Sequence, residues 1–255
     1  MPLIRAILFP SQIPNLMSTS QTLSLSVGDG TTMLVYAAQP AAANGAVPGI
    51  ILLQEAFGVN HYIRSVADRL AQAGYAVVAP ELFHRTAASG LEIPYNDFPS
   101  AMSHYMAINN DDLTADLQAA YAWLTGQSGV VADKIGSVGF CLGGRVSFLA
   151  NAVLPLAAGV SYYGGGIEQI KDRAADLHAP HLFFWGGRDE HISKESIAEV
   201  IEAVDAAGKL YVNTVISDAE HGFHCDERPG YNPAAAHEAW ALTLAFLADK
   251  FKATK

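Results

Sequence analysis

The sequence predicts an α/β fold: one doubly wound, mostly parallel sheet flanked by helices, with an antiparallel start. Three observations carry that expectation. Runs such as Ile50–Leu53 and Ala76–Ala79 are apolar throughout, without polar alternation, so they suit strands buried on both faces in a parallel sheet. They alternate along the chain with amphipathic stretches at helical spacing, which is βαβ order. At 255 residues, 51% hydrophobic and 16% charged, the chain can bury the large core that such a sheet needs.

In chain order, residues 1–17 read as an N-terminal extension outside the fold, and residues 18–255 as a single domain. Leu3 to Phe9 is apolar but interrupted by Arg5, and Pro10 and Pro14 follow. The run is too short to span a membrane and lacks a small-x-small cleavage site. Thr22–Val27 alternates apolar and polar residues, Gly28-Asp29-Gly30 turns, and Met33–Ala38 returns, so a hairpin is expected. Ala41–Pro48 is a small-residue loop and Gly49–Gln54 a buried strand. Tyr62–Gln72 is a helix with Ile63, Val66, Ala67 and Leu70 on one face, and Gly74 follows its end. Tyr75–Ala79 is the next strand, closed by Pro80. Arg85–Asn110 is polar and irregular, long for a connection, and suited to a lid or pocket wall. A helix capped by Asp111 or Asp112 runs to Leu124. Gly159–Tyr163 and His181–Trp185 are strands. Ser193–Ala207 is a helix capped by Ser193 or Ser196, Leu210–Ile216 a strand, and Pro233–Phe251 a closing helix.

The most informative stretch is Ile135-Gly136-Ser137-Val138-Gly139-Phe140-Cys141-Leu142-Gly143-Gly144-Arg145. A short apolar strand turns through G-x-C-x-G into a helix. This is the layout of a nucleophile elbow, with Cys in the usual place of Ser. A strained turn lifts the central side chain to the carboxyl end of the strand. Its neighbours two residues away must be small so that strand and helix can approach. The Leu142 N–H then sits beside the nucleophile at a helix N-terminus, where it can bind an oxyanion. Read structurally, the same stretch is a buried Cys in a Gly-rich turn.

An elbow nucleophile needs a base, and the base an orienting acid. Asp189 lies just past the strand His181–Trp185, and His221 just past the strand Leu210–Ile216. Both are therefore expected at strand carboxyl ends, where open α/β sheets keep their sites. His224 is an alternative base in the same loop, and Asp189 could instead cap a turn. Arg145, one helical turn after Cys141, is expected to pack or pair structurally. Asp189, His191, His221 and His224 lack a firm metal-ligand template, so no metal is expected, and no cofactor either.

Gln54-Glu55-Ala56-Phe57-Gly58-Val59-Asn60, Gly139-Phe140-Cys141-Leu142-Gly143-Gly144, the Gly187-Arg188-Asp189 region and His221-Gly222-Phe223 together resemble the dienelactone hydrolase (carboxymethylenebutenolidase-like) family over about Thr22 to Phe251. The resemblance implies an α/β-hydrolase fold, a Cys141, His221, Asp189 triad, and hydrolysis of a lactone or carboxylic ester through an acyl-enzyme. It implies that Glu55 partners and tunes the resting thiol and is held by Arg85. It also implies an oxyanion hole from the Ala56 and Leu142 N–H groups. One position departs from the family. An Arg four residues after the catalytic His helps hold the substrate carboxylate there, and here that residue is Cys225, with Arg228 or Arg188 as compensating cations. The departure bears on dienelactone as substrate and leaves ester or lactone hydrolysis as the expectation.

The net charge of −10, with no Lys/Arg run, excludes nucleic acid as an expected partner. No membrane partner is expected, and the partner is a small ester or lactone; the sequence leaves monomer and dimer open. Two Cys make no disulfide framework, so a reduced, cytoplasmic setting is expected. The rival readings are a general carboxylesterase or thioesterase, a non-catalytic binding protein of the same fold, and a redox protein using Cys141 and Cys225. The last lacks a C-x-x-C.

Overall fold

The computed structural model describes residues 17–252 apart from 42 and 44, so the expected N-terminal extension lies, but for Met17, outside the described residues. The hairpin is formed by β1 (Ser18–Ser26) and β2 (Thr32–Pro40), both longer than their alternation suggested. There follow β3 (Val47–Leu53), α1 (His61–Gln72), β4 (Ala76–Pro80), α2 (Phe98–Ala107), α3 (Asn110–Thr125), β5 (Val130–Phe140) and α4 (Leu142–Val153). The chain closes with β6 (Ala158–Tyr162), β7 (His181–Gly186), α5 (Lys194–Ala206), β8 (Tyr211–Ile216) and α6 (Pro233–Lys250).

The eight strands form one sheet in the order β1-β2-β4-β3-β5-β6-β7-β8. The pairs β1/β2 and β2/β4 are antiparallel, and all others are parallel. Ile50 to Leu53 and Val77 to Ala79 have no exposed surface, as the unbroken apolar runs required. The helices cover both faces. On one, α1 and α6 meet, with the Arg69 guanidinium 4.1 Å above the Trp240 ring. On the other, α3 packs beside α4.

Two elements differ from expectation. The 85–110 excursion contains α2, because Pro99 occupies the first turn, where its missing N–H leaves nothing unpaired, and Asp97 caps the helix by accepting from Ser100 N. Between β6 and β7, Ile167–Asp176 forms two 3-10 turns meeting at Ile170. The cap of α3 is Asn109, which accepts from Asp112 N at 2.9 Å; Asp111 and Asp112 sit in the first turn, favourable to the helix dipole. Ser193, and not Ser196, caps α5, accepting the Ser196 N–H.

The topology decides where chemistry can occur. Strand order reverses between β3 and β5, and ligands of doubly wound sheets bind outside the carboxyl ends at such a switch point. Leu53 is paired with Gly139. Two residues on, Glu55 and Cys141 therefore leave neighbouring strands level with each other, and adjacent strands lie about 4.8 Å apart.

Candidate active site

Cys141 has φ 55° and ψ −116°, a conformation unfavourable for any side chain with a Cβ. Its neighbourhood fixes it there. The Cys141 N–H donates to the Tyr162 carbonyl at 3.0 Å, and the Cys141 carbonyl accepts from Gly144 N at 2.9 Å. The flanking glycines are sterically required. A Cβ on Gly139 would run into the Gly143 carbonyl, and one on Gly143 into the Leu53 carbonyl. The thiol is partly exposed at the N-terminus of α4. Among the described residues no acceptor takes the N–H of Leu142 or of Ala56, which leaves both able to donate to a ligand.

His221 and Asp189 meet at the same edge of the sheet. His221 Nδ1 lies 2.8 Å from Asp189 Oδ2, and the other carboxylate oxygen accepts the N–H groups of His191 at 2.8 Å and Ile192 at 3.2 Å. Burial alone would raise the Asp189 pKa; the hydrogen bond and charge of His221, with those two N–H groups, bring it below the ordinary value. Burial also acts to lower the His221 pKa. The charge of the neighbouring Cys141 sulfur and the bond to Asp189 outweigh it and push the imidazole up to about 10. The Tyr163 ring packs against the imidazole at a centroid distance of 5.1 Å, and Tyr163 itself has a positive φ of 37°. The sequence carried no signal for Tyr163 beyond its position at a strand end.

His224, the alternative base, lies in the core. It is 2% exposed, its Nδ1 is 2.7 Å from the Tyr62 hydroxyl, and its ring packs among Phe140, Tyr162 and Trp240. Burial pushes its pKa down to about 3, so the ring is neutral at physiological pH.

Glu55 has no exposed surface and is held at both oxygens. Arg228 Nη1 donates to Oε1 at 3.0 Å, and the Tyr95 hydroxyl donates to Oε2 at 3.1 Å. The Tyr95 oxygen in turn accepts from Asn60 Nδ2 at 2.9 Å and from the Cys225 thiol at 3.3 Å. Burial, and then the charge of Glu55, push the Cys225 thiol up to about 12, so it stays protonated. Burial disfavours the Arg228 charge, but the charges of Glu55 and Cys141 outweigh that and raise its pKa.

The expectation that Arg85 holds Glu55 is not met. Arg85 donates through Nε and Nη2 to Asp29 Oδ2 at 2.9 and 2.6 Å, and through Nη1 and Nη2 to the two oxygens of Asp116 at 2.9 Å each. It leaves the carboxyl end of β4, which lies between β2 and β3, and so turns toward the β1–β2 hairpin and not toward β5. Asp116 is fully buried, and this pairing ties the hairpin to α3. Arg85→Ala is therefore expected to destabilise the fold by about 1–3 kcal/mol, because the buried Asp116 keeps only His84 Nε2, 3.0 Å away, as its partner. The rate of Cys141 alkylation in the folded variant should stay at the wild-type level. Chemical denaturation and iodoacetamide kinetics measure the two; a normal stability with a changed alkylation rate would restore Arg85 to the site. Arg145 makes a structural contact, donating from Nη2 to Asn110 Oδ1 at 3.0 Å.

Tyr95 is the site residue that the sequence concealed, since it belongs to the aperiodic part of the 85–110 excursion. Around it Ala56, Phe57, Ile93 and Ala101 form a small apolar cluster of their own. Phe57 meets Tyr95 edge-on at 4.6 Å. The excursion thus packs Ile93, Tyr95 and Ala101 against Ala56 and Phe57. Among the described residues there is no group of three or more His, Cys, Asp or Glu side chains placed to hold a metal ion. No described helix is long and apolar enough to cross a membrane.

Comparison with known proteins adds to this geometry. The sequence profile of the dienelactone hydrolase family matches residues 33–251. A Salmonella typhimurium protein named as a candidate carboxymethylenebutenolidase is 36% identical over 230 residues, covering 86% of this chain and 84% of its own. A similarly named Escherichia coli K12 protein is 36% identical over 225 residues, 84% and 82% of the two chains. Among solved structures, a candidate dienelactone hydrolase from Klebsiella pneumoniae superposes with a TM-score of 0.83 at 32% identity, over 91% of this chain and 98% of its own.

Proposed function

Because the chain belongs to the dienelactone hydrolase family, and is thus a carboxylic-ester or lactone hydrolase of the α/β-hydrolase fold, we propose that it works through an acyl-enzyme on Cys141, with His221 as base and Asp189 as its orienting acid. One observation carries this reading: the strained Cys141 and the hydrogen-bonded His221–Asp189 pair share one edge of the sheet. His221 holds the proton that Cys141 gives up, and Cys141 Sγ bonds to the carbonyl carbon. The oxyanion so formed accepts from the Leu142 and Ala56 N–H groups. Collapse breaks the C–O bond, and His221 returns its proton to the leaving oxygen, which in a lactone stays tethered to the acyl chain. Water, deprotonated by His221, then attacks the thioester carbonyl; the acid is released and the thiol restored.

In this reading Glu55 tunes the thiol through the charge that it places beside it, and Arg228 with Tyr95 takes the holding role first assigned to Arg85. A protonated, buried Cys225 is a bystander in acyl transfer. A reducing, cytoplasmic setting accords with a nucleophile that must remain a free thiol.

Rapid quench with p-nitrophenyl acetate, followed by peptide mass spectrometry, tests the proposal. The expected result is a transient acetyl group on the Cys141 peptide. Turnover with acetyl on another side chain, or with none on Cys141, would overturn it.

A further inference from the structure

We propose that a second copy of this chain pairs with the outer edge of β8, about a two-fold axis through Asn213, so that the sheet runs on through a homodimer. β8 is the last strand of the sheet, and among the described residues no strand pairs with its outer side. The His181 N–H donates to the Leu210 carbonyl at 3.0 Å, and the Gly187 N–H to the Ile216 carbonyl at 2.7 Å. The even-numbered residues thus turn their backbone groups toward β7, and Tyr211, Asn213 and Val215 turn theirs outward. Such an edge is a template for another strand, and proteins commonly protect it with charges, proline or a bulge. Tyr211–Ile216 contains no charged residue and no proline, and its pairing with β7 runs without a register shift. Apolar side chains stand in the open along it: Leu210 is 73% exposed, Val215 52% and Val212 39%.

The strand is complementary to itself. Antiparallel pairing about Asn213 sets Tyr211 opposite the second copy's Val215, an aromatic and β-branched pair whose backbone groups both point outward. It sets Leu210 opposite the second copy's Ile216, and Val212 opposite its Thr214. No pair brings like charges together, and for two chains of net charge −10 each that makes this edge a place of approach without local repulsion. The helix beside the strand repeats the pattern. Between α5 and β8 lies a hollow of about 550 Å³, lined by Ile197, Ala198, Ile201 and Val215, with Lys194 and Glu202 also on its border. Lys171 takes Glu199, whereas Lys194 and Glu202 have no ion-pair partner among the described residues. The same axis runs α5 antiparallel to its copy and carries each Lys194 toward the other's Glu202, with the small Ala198 between them along the helix. One two-fold operation thus provides for the unpaired backbone, the exposed apolar row and the unpaired charges, as an isologous interface requires.

Sedimentation velocity of the full chain at roughly 50 µM is expected to show a species of twice the 27.1 kDa chain mass. Val215→Lys changes an exposed side chain and sets an ammonium beside the second copy's Tyr211. It should raise the dissociation constant by at least about 30-fold while the circular dichroism spectrum stays that of the wild type. Asn213→Cys brings two thiols together on the axis, with Cβ atoms about 5 Å apart, and a short bis-maleimide should join them into a covalent dimer. The wild type, with only Cys141 and the buried Cys225, should give none. A wild type that stays monomeric at that concentration would overturn the proposal and leave the edge to a different protein. So would a dimer that Val215→Lys leaves intact or that Asn213→Cys fails to cross-link, since its interface would then lie elsewhere.

Discussion

Cys141→Ala is expected to lower kcat/KM for any accepted ester by at least about 10⁴-fold while the protein folds normally. The loss follows from the position of the thiol and not from its packing. Cys141 is partly exposed, so removing the sulfur opens no sealed core cavity. The turn that presents it is held by the Tyr162 and Gly144 backbone contacts and by the two flanking glycines, all of which survive the substitution. Residual turnover can draw only on the Leu142 and Ala56 N–H groups and on substrate binding, with no nucleophile to form the thioester. Steady-state kinetics with thermal unfolding as a control measures this. Activity above about a tenth of wild type would place the nucleophile elsewhere. Cys141→Ser is expected to be weakly active, because an alcohol is far less readily deprotonated than a thiol at the same base.

The second large effect separates the two histidines. His221→Ala should slow acylation by at least about 10³-fold. His224→Ala should leave acylation within about tenfold and instead destabilise the fold by about 1–3 kcal/mol, because it strips the Tyr62 hydroxyl of its partner in the core. A larger loss of acylation at His224 would reverse the assignment. The same pair predicts a pH dependence. His221 is raised from 6.5 to about 10 in the folded chain, so the fold binds its proton more tightly than the unfolded chain does. The resulting stabilisation is complete below about pH 6.5 and is lost as pH rises through about 10. In Cys141→Ala the largest of the raising causes is gone, and the loss on alkalinisation should shrink. Melting temperatures of both proteins between pH 6 and 10.5, taken roughly every half unit across the window that linkage defines, test it. Parallel profiles would mean that Cys141 does not carry the charge that raises the imidazole.

The sheet was legible in the sequence for a local reason. Burial on both faces demands unbroken apolar runs, and Ile50–Leu53, Val77–Ala79 and Leu182–Trp185 supply them without help from distant residues. The elbow was legible because backbone sterics confine Gly139 and Gly143 to one residue type around a strained turn. The α2 helix was not, since Pro94 and Pro99 read as breaks until Asp97 shows that Pro99 stands in a first turn.

By itself, then, the sequence determined the doubly wound fold, the turn that presents Cys141, and the succession of Asp189 and His221 at later strand ends. Each of these follows from short-range pattern or from the one-dimensional order of strands. Only the tertiary structure decided which groups hold Glu55. Arg85 is 30 positions away along the chain, yet it departs from a strand on the side of β3 facing away from Cys141. Arg228 is 173 positions away and is carried in by the same loop that places His221 at the carboxyl edge of the sheet. Tyr95 comes from an excursion without periodicity, so its place depends on how that segment packs over Phe57. A buried carboxylate is paired with whatever donor the fold delivers to it, and strand order, which no local pattern encodes, sets that delivery.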